Sequence, residues 1–310
     1  MAHRLGVAFG GGGARGLAHI GVIRTLRSAG FLPSLVAGTS AGSIAAVLYA
    51  AGLEQERMEE LASHFDWFRH VIKLSDTIRR PPGPGRRAGL LSNRGLGDTV
   101  NDLVGHRSFD ELPVEVAVVA TDLERRARVI FCPARTAQRL RRRELERFLP
   151  PPRSGLPGCE TVVVSDLDDV GLAVRSSCAV PGIFLPVEIR GMRLVDGGIM
   201  DQVPVDVVRA MGASFSIGVS LAMGWAPERI SRPAEAIAAM VAAMGVHSLR
   251  GSLELADIGF QIPGIEARSL VDPRQRDLVE LGAAEMAERL AAAAKKLPRR
   301  PRGSVTGAQR

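Results

Sequence analysis

Apolar and polar positions along the chain alternate between two rhythms. Leu5–Phe9 is a short apolar run that ends in glycines, the pattern of a buried parallel strand. From Leu17 the apolar residues fall at Leu17, Ile20, Ile23 and Leu26, which predicts a helix ending near Gly30. Residues 33–37 read as a second strand. The uncharged stretch from Ile44 to Leu53 reads as a buried helix, and Glu54 to Phe68 as an amphipathic one. Ser92 or Asn93 is placed to cap a helix through Leu103. Residues 114–120 (VEVAVVA) are a buried strand, and 127–131 form a short strand expected near it.

The character changes between Cys132 and Asp169. Residues 135–148 are arginine-rich and helical in period, and Leu149-Pro150-Pro151-Pro152 stops them. A loop through Cys159 leads to Thr161–Val164. We read 132–169 as an insertion or surface excursion. Beyond it come a buried helix from Leu172 to Ala179, a hairpin of 187–189 and 192–195 around Gly191, a helix over 205–211 and a buried strand over 215–221. Alanine-rich helices are expected over 234–249 and 278–297, and a basic disordered tail over 296–310. Strands alternating with helices predict an α/β fold: a mostly parallel central sheet covered by helices on both faces, within one domain over residues 1–295.

Composition sharpens this picture in three places. Aromatics make up 4% of the 310 residues, so the core must be aliphatic. The three cysteines, Cys132, Cys159 and Cys178, are odd in number and widely spaced, which argues against a disulfide framework and a zinc site and suits a reducing compartment. The apolar run after Arg4 is too short for a signal peptide, so a cytoplasmic location is expected. The net charge of +7 is clustered at 79–87, at 135–147 and in the tail. Such clusters attract phosphate-bearing partners, and solvated arginines on loops are the plainer reading of each run alone. The aromatic interleaving of single-strand binders is missing, so no nucleic acid is expected.

The chemistry-bearing pattern lies near the start. Gly38-Thr39-Ser40-Ala41-Gly42 is a G-x-S-x-G pentapeptide at a strand-to-helix turn, a way to present a serine nucleophile. Upstream, residues 10–16 (GGGGARG) offer bare backbone N–H groups that can hold an oxyanion. Together they suggest acyl transfer from an ester. Other readings compete. Residues 11–16 also fit the dinucleotide motif G-x-G-x-x-G, but the next strand ends without the carboxylate that a ribose needs. A P-loop would need Gly-Lys-Ser/Thr after the glycines. Residues 35–53 are uncharged and about long enough for a membrane span, yet rich in small residues. A structural Gly-Ser turn is the usual fate of an isolated pentapeptide.

A serine needs a base. Of the six histidines only His247 follows Asp196, giving the Ser40–Asp196–His247 chain order of α/β-hydrolases, but it sits mid-helix. The alternative is a direct Ser40–Asp196 dyad. Asp196 ends a strand and precedes Gly197 and Gly198, which let the chain approach another backbone closely.

With these three motifs in this order, the chain resembles the patatin-like phospholipase family, and within it the bacterial branch related to the catalytic domain of neuropathy target esterase. Residues 11–16 match its oxyanion motif, Gly38–Gly42 its nucleophile elbow and Asp196-Gly197-Gly198 its D-G-A/G motif. Residues 89–92, 119–123 and 174–184 add to the likeness, which covers about residues 5–222. The resemblance implies a patatin-like three-layer fold, with Ser40 as nucleophile and Asp196 as base. It implies that the N–H groups of Gly11, Gly12 and Gly13 hold the oxyanion, with Arg15 steadying the loop or meeting a lipid phosphate. Neither metal nor cofactor is implied. The expected substrate is a phospholipid or lysophospholipid ester, met through transient contact with an anionic membrane surface. A non-catalytic adaptor on the same fold is the alternative. The stretch after Leu123 departs from the family, whose members have a shorter link there.

Overall fold

The structure is a computed structural model that describes residues 4–64, 91–140, 160–221, 252–263 and 275–293, with isolated positions between them. The basic loop at 79–87, most of the second arginine cluster, Cys159, His247 and the tail lie outside these residues. So does most of the helix expected over 234–249.

Among the described residues, nine strands form one sheet. Strands β1 (Leu5–Phe9) and β2 (Leu35–Thr39) are fully buried, as their unbroken apolar sequences require. Strand β3 (Glu115–Asp122) turns back into β4 (Ala127–Phe131), and β5 (Thr161–Val164) follows. The hairpin β6 (Val187–Ile189) and β7 (Met192–Asp196) precedes β8 (Phe215–Leu221) and β9 (Ile258–Ile262). The order across the sheet is β5-β4-β3-β2-β1-β8-β9. Strands β3, β2, β1, β8 and β9 run parallel, β4 runs against them, and β5 pairs parallel to β4. The end of the expected insertion is therefore part of the main sheet: Thr161–Val164 extends its edge.

Side chains leave each strand alternately to the two faces. Val7, Phe9, Val36, Val116 and Val118 join the core on one side, and Ala8, Leu35, Ala37, Ala117 and Val119 the core on the other. The first face carries α1 (Ala18–Ser28), α2 (Ala41–Ala50), α3 (Gln55–His64) and α4 (Arg94–Leu103). The second face carries α5 (Ala134–Arg139). Helix α6 (Val170–Ser177) lies on the first face and α7 (Val205–Ala210) on the second; α8 (Gln275–Ala292) packs on α1. At the α1–α8 crossing a methyl group on Gly21 would lie 1.9 Å from the Val279 carbonyl oxygen, and one on Gly282 1.9 Å from that of Ala18. The two backbones touch, so both positions require glycine.

Three expectations shift. The helix after β2 starts at Ala41 rather than Ile44, directly behind Ser40. Asn93 stands at the N-cap of α4 without capping it, and its side-chain amide instead donates to the Arg175 carbonyl at 2.7 Å. Strand β9 was not expected, although Ile258, Phe260 and Ile262 alternate with exposed Gly259 and Gln261 as an edge strand should.

One buried polar cluster ties the second face together. Arg128 on β4 donates through Nη1 to Asp201 and to Asp206, 2.7 Å each, with all three side chains at most 6% exposed. Burial, and then the neighbouring Asp206 charge, push the Asp201 carboxyl up against the pull of Arg128. Replacing Arg128 by Met leaves two carboxylates buried without their cation. We expect a loss of about 3–5 kcal/mol, read as a lower urea midpoint; an unchanged midpoint would show that the cluster contributes nothing to folding.

Candidate active site

Strand β3 brings the two motif residues together. Its first half pairs with β2, ending at Thr39 opposite Val119. Its second half pairs with β7, beginning at Asp196 opposite Ala120. Strand β4 occupies the other edge over Val118–Asp122, so β2 and β7 share one edge end to end. The residue after Thr39 is Ser40. Two side chains 156 positions apart in sequence therefore meet where two strands abut.

Ser40 stands at the turn into α2 with φ 51° and ψ −126°. A side chain in the left-handed region carries strain of about 1–3 kcal/mol, a feature of functional turns. The elbow has no room for larger neighbours. A methyl on Gly42 would lie 2.1 Å from the Phe9 carbonyl oxygen, and one on Gly38 2.3 Å from that of Gly42. The Ser40 N–H donates to Ser177 Oγ at 2.8 Å, and that hydroxyl donates onward to the Val119 carbonyl. Ser43 adds a bond from its Oγ to the Ser40 carbonyl at 2.6 Å. The turn is thus fixed from β3, α2 and α6, and Ser40 sits at the positive end of the α2 dipole.

Asp196 is 4% exposed. Its Oδ1 accepts from the Gly198 N–H at 2.8 Å, and its own N–H donates to the Ala179 carbonyl. Gly197 passes so close to β3 that a methyl there would lie 2.2 Å from the Val119 carbonyl oxygen. Burial pushes the Asp196 carboxyl up to about 6, while hydrogen bonding from the Ser40 hydroxyl and the Gly198 N–H pulls it down. The Ser40 hydroxyl thus faces the carboxylate as a hydrogen-bond partner. Such contacts tighten when substrate binds.

Among the glycines, Gly11 departs from expectation. Its N–H already donates to the Gln202 carbonyl at 3.2 Å, and its carbonyl accepts from Gln202 Nε2 at 2.9 Å. The segment after β7 grips this peptide on both sides, so Gly11 braces the loop rather than donating into the site. The N–H groups of Gly12 and Gly13 have no partner among the described residues. They and the N-terminus of α2 are the available oxyanion donors. Arg15 is buried and folds back, Nε donating to the Gly12 carbonyl at 3.1 Å.

Sequence reasoning missed Ser177, Gln202 and Cys178. The first two lie next to recognised motifs but have no motif of their own. The Cys178 thiol is buried against Ser43, 4.0 Å from its Oγ, and beside Ser40. Burial, and then the Asp196 charge, raise its pKa, which keeps it a neutral thiol. His19, the one fully buried histidine among the described residues, bonds through Nε2 to the Gly10 carbonyl at 2.8 Å. Burial lowers its pKa to about 4, so it is a neutral brace of the glycine loop.

The family model for patatin-like phospholipases matches residues 7–209. The chain belongs to the patatin-like phospholipase family. An uncharacterized NTE family protein of Mycobacterium tuberculosis is 34% identical over 70% of this chain and 49% of its own length. Neuropathy target esterase sws of Drosophila melanogaster is 24% identical, over 70% of this chain and 13% of its own length. Lysophospholipase NTE1 of Mycosarcoma maydis is 30% identical, over 70% of this chain and 10% of its own length. The chain thus spans about half the length of the mycobacterial relative and far less of the eukaryotic ones. Among solved structures, VipD from Legionella pneumophila aligns over 94% of this chain and 67% of its own, at 16% identity and a TM-score of 0.49. No helix among the described residues is long and apolar enough to cross a membrane.

The site generates a stability prediction. A carboxyl raised from 3.8 to about 6 on folding loses stability as pH rises through that window, by about 3 kcal/mol once fully ionised. Asp196→Asn keeps the Gly198 bond and removes the buried charge. It should melt higher than the wild type at pH 7–8, with the difference fading toward pH 4. A variant that melts lower at pH 8 would show that Asp196 is held by a partner rather than exposed to a desolvation penalty.

Proposed function

We propose that the chain is a serine ester hydrolase of the lipid acyl class, with Ser40 as nucleophile and Asp196 as its base. The observation that carries this reading is the juxtaposition across β3: a strained serine at a helix N-terminus beside a buried carboxyl raised to about 6. A carboxylate with that affinity for protons can take one from a hydroxyl, and the buried neutral His19 serves elsewhere.

The steps balance as follows. Ser40 Oγ attacks the ester carbonyl carbon, and its proton passes to Asp196. The Gly12 and Gly13 N–H groups receive the oxyanion. The tetrahedral species collapses, the carbon–oxygen bond to the alcohol breaks, and the leaving oxygen takes the proton from Asp196. Water then attacks the acyl-serine and gives a proton to Asp196. Ser40 Oγ leaves with that proton, and the fatty acid is released.

The relative named a lysophospholipase supports lysophospholipid or phospholipid esters as substrates. The arginine-rich segments at 79–87 and 135–147 suit transient contact with an anionic membrane surface from the cytoplasm. Hydrolysis of lysophosphatidylcholine and p-nitrophenyl esters tests the reading. Ser40→Ala should lower kcat by about four to six orders of magnitude, and kcat/KM of the wild type should fall about tenfold per pH unit below about pH 6. Undiminished hydrolysis by Ser40→Ala would overturn it. A loss in His247→Ala as deep as in Asp196→Asn would replace the dyad by a triad.

A further inference from the structure

A cavity of about 250 Å³ opens beside Ser40 and is lined almost entirely by aliphatic side chains. Helix α2 forms one wall with Ser40, Ala41, Ile44, Ala45 and Leu48, a stripe that advances along a single helix face. Helix α4 forms the facing wall with Leu96, Val100 and Leu103, again one stripe.

These two helices run side by side in the same direction. At their C-terminal ends, Arg107 donates through Nε to the Val104 carbonyl just past α4 and through Nη2 to the Ala51 carbonyl just past α2, at 2.7 and 2.8 Å. At their N-terminal ends, both meet the last turn of α6. Asn93 donates to Arg175 there, and the Ser40 N–H donates to Ser177. The nucleophile therefore stands at one end of the trough. Leu48 and Leu103 are the lining residues of the two helices farthest along the chain from Ser40, and fully buried Met58 from α3 also lines the cavity.

We propose that α2 is the ruler that sets acyl-chain length, with Leu48 and Met58 as the stop. This rests on the ester-hydrolase reading and adds a substrate class to it: medium-chain acyl esters. From Ser40 to Leu48 the helix rises about 12 Å at about 1.5 Å per residue. A staggered carbon chain advances about 1.25 Å per bond, given a bond length of about 1.5 Å. The trough thus receives about eight to ten carbons beyond the ester before it meets the stop. Each buried methylene should raise kcat/KM about fourfold, so kcat/KM should climb with chain length up to that point and then level off or fall. Ala45, halfway along α2, is the position where a larger side chain shortens the trough most directly.

The test is kcat/KM for p-nitrophenyl esters from acetate to palmitate, with the intact chain and with three variants. The wild type should peak at about C8–C10. Ala45→Phe should move the peak to about C4–C6 and lower C10 at least tenfold relative to acetate. Leu48→Ala and Met58→Ala should raise C14 relative to C8 by about tenfold. Melting temperatures confirm that each variant is folded, and Leu48→Ala and Met58→Ala read the stop separately from the trough. If Ser40-dependent acetate hydrolysis persists and the chain-length profile is the same in Ala45→Phe as in the wild type, the ruler is wrong and the hydrolase stands. If hydrolysis of acetate does not depend on Ser40, the hydrolase reading itself fails.

Discussion

One pairing constraint organises the site: the two halves of a single edge of β3 are taken by two different strands. Strand β2 ends opposite Val119, and β7 takes over opposite Ala120. Side chains at the abutting ends have no choice but to face each other. The elbow, the Asp-Gly-Gly turn and the glycine loop are each shaped by close backbone approach, and each is anchored to this junction. Ser177 bonds the Ser40 amide to the Val119 carbonyl, and Gly197 lies against that same carbonyl. A methyl group added at Gly42 would push α2 off the end of β1, and one at Gly197 would push the Asp-Gly-Gly turn off β3.

The junction also accounts for the proton affinity that the proposed dyad asks of Asp196. It is the desolvation of the carboxyl, more than any neighbour, that raises its proton affinity. The surroundings are chosen to leave the carboxylate under-solvated: one backbone N–H, one hydroxyl and a neutral thiol, with no cation against it among the described residues. Across the sheet the opposite arrangement occurs. Arg128 stands between Asp201 and Asp206, and the segment they anchor carries Gln202, which grips Gly11. The paired carboxylates serve rigidity, and the unpaired one is left available for chemistry.

Much of this was legible in the sequence. The apolar run Leu5–Phe9 is a buried strand at those bounds, and so is Phe215–Leu221, whose only polar residues are the small, buried Ser216 and Ser220, as a sheet covered on both faces requires. Strand β9 was missed, since Gly259 and Gln261 interrupt its apolar side chains as an exposed edge permits. Ser40 and Asp196 stand out as candidates in the sequence because glycines mark them. Ser177 and Gln202 were not, because their work lies in hydrogen bonds to distant backbone, which no local pattern records. The bonds that hold Gly11 were hidden for the same reason: the partner of its N–H lies 191 positions away. The apolar trough along α2 was partly visible as an uncharged helix, but its depth depends on α4 running beside it, a fact of packing.

The most direct test of the junction is the rate at which a fluorophosphonate phosphonylates the protein, with the adduct located by peptide mass mapping. The account predicts a single adduct on Ser40 and a rate that collapses in Asp196→Asn, whose amide cannot accept the proton. An adduct on another residue, or an Asp196→Asn variant labelled as fast as the wild type, would contradict it.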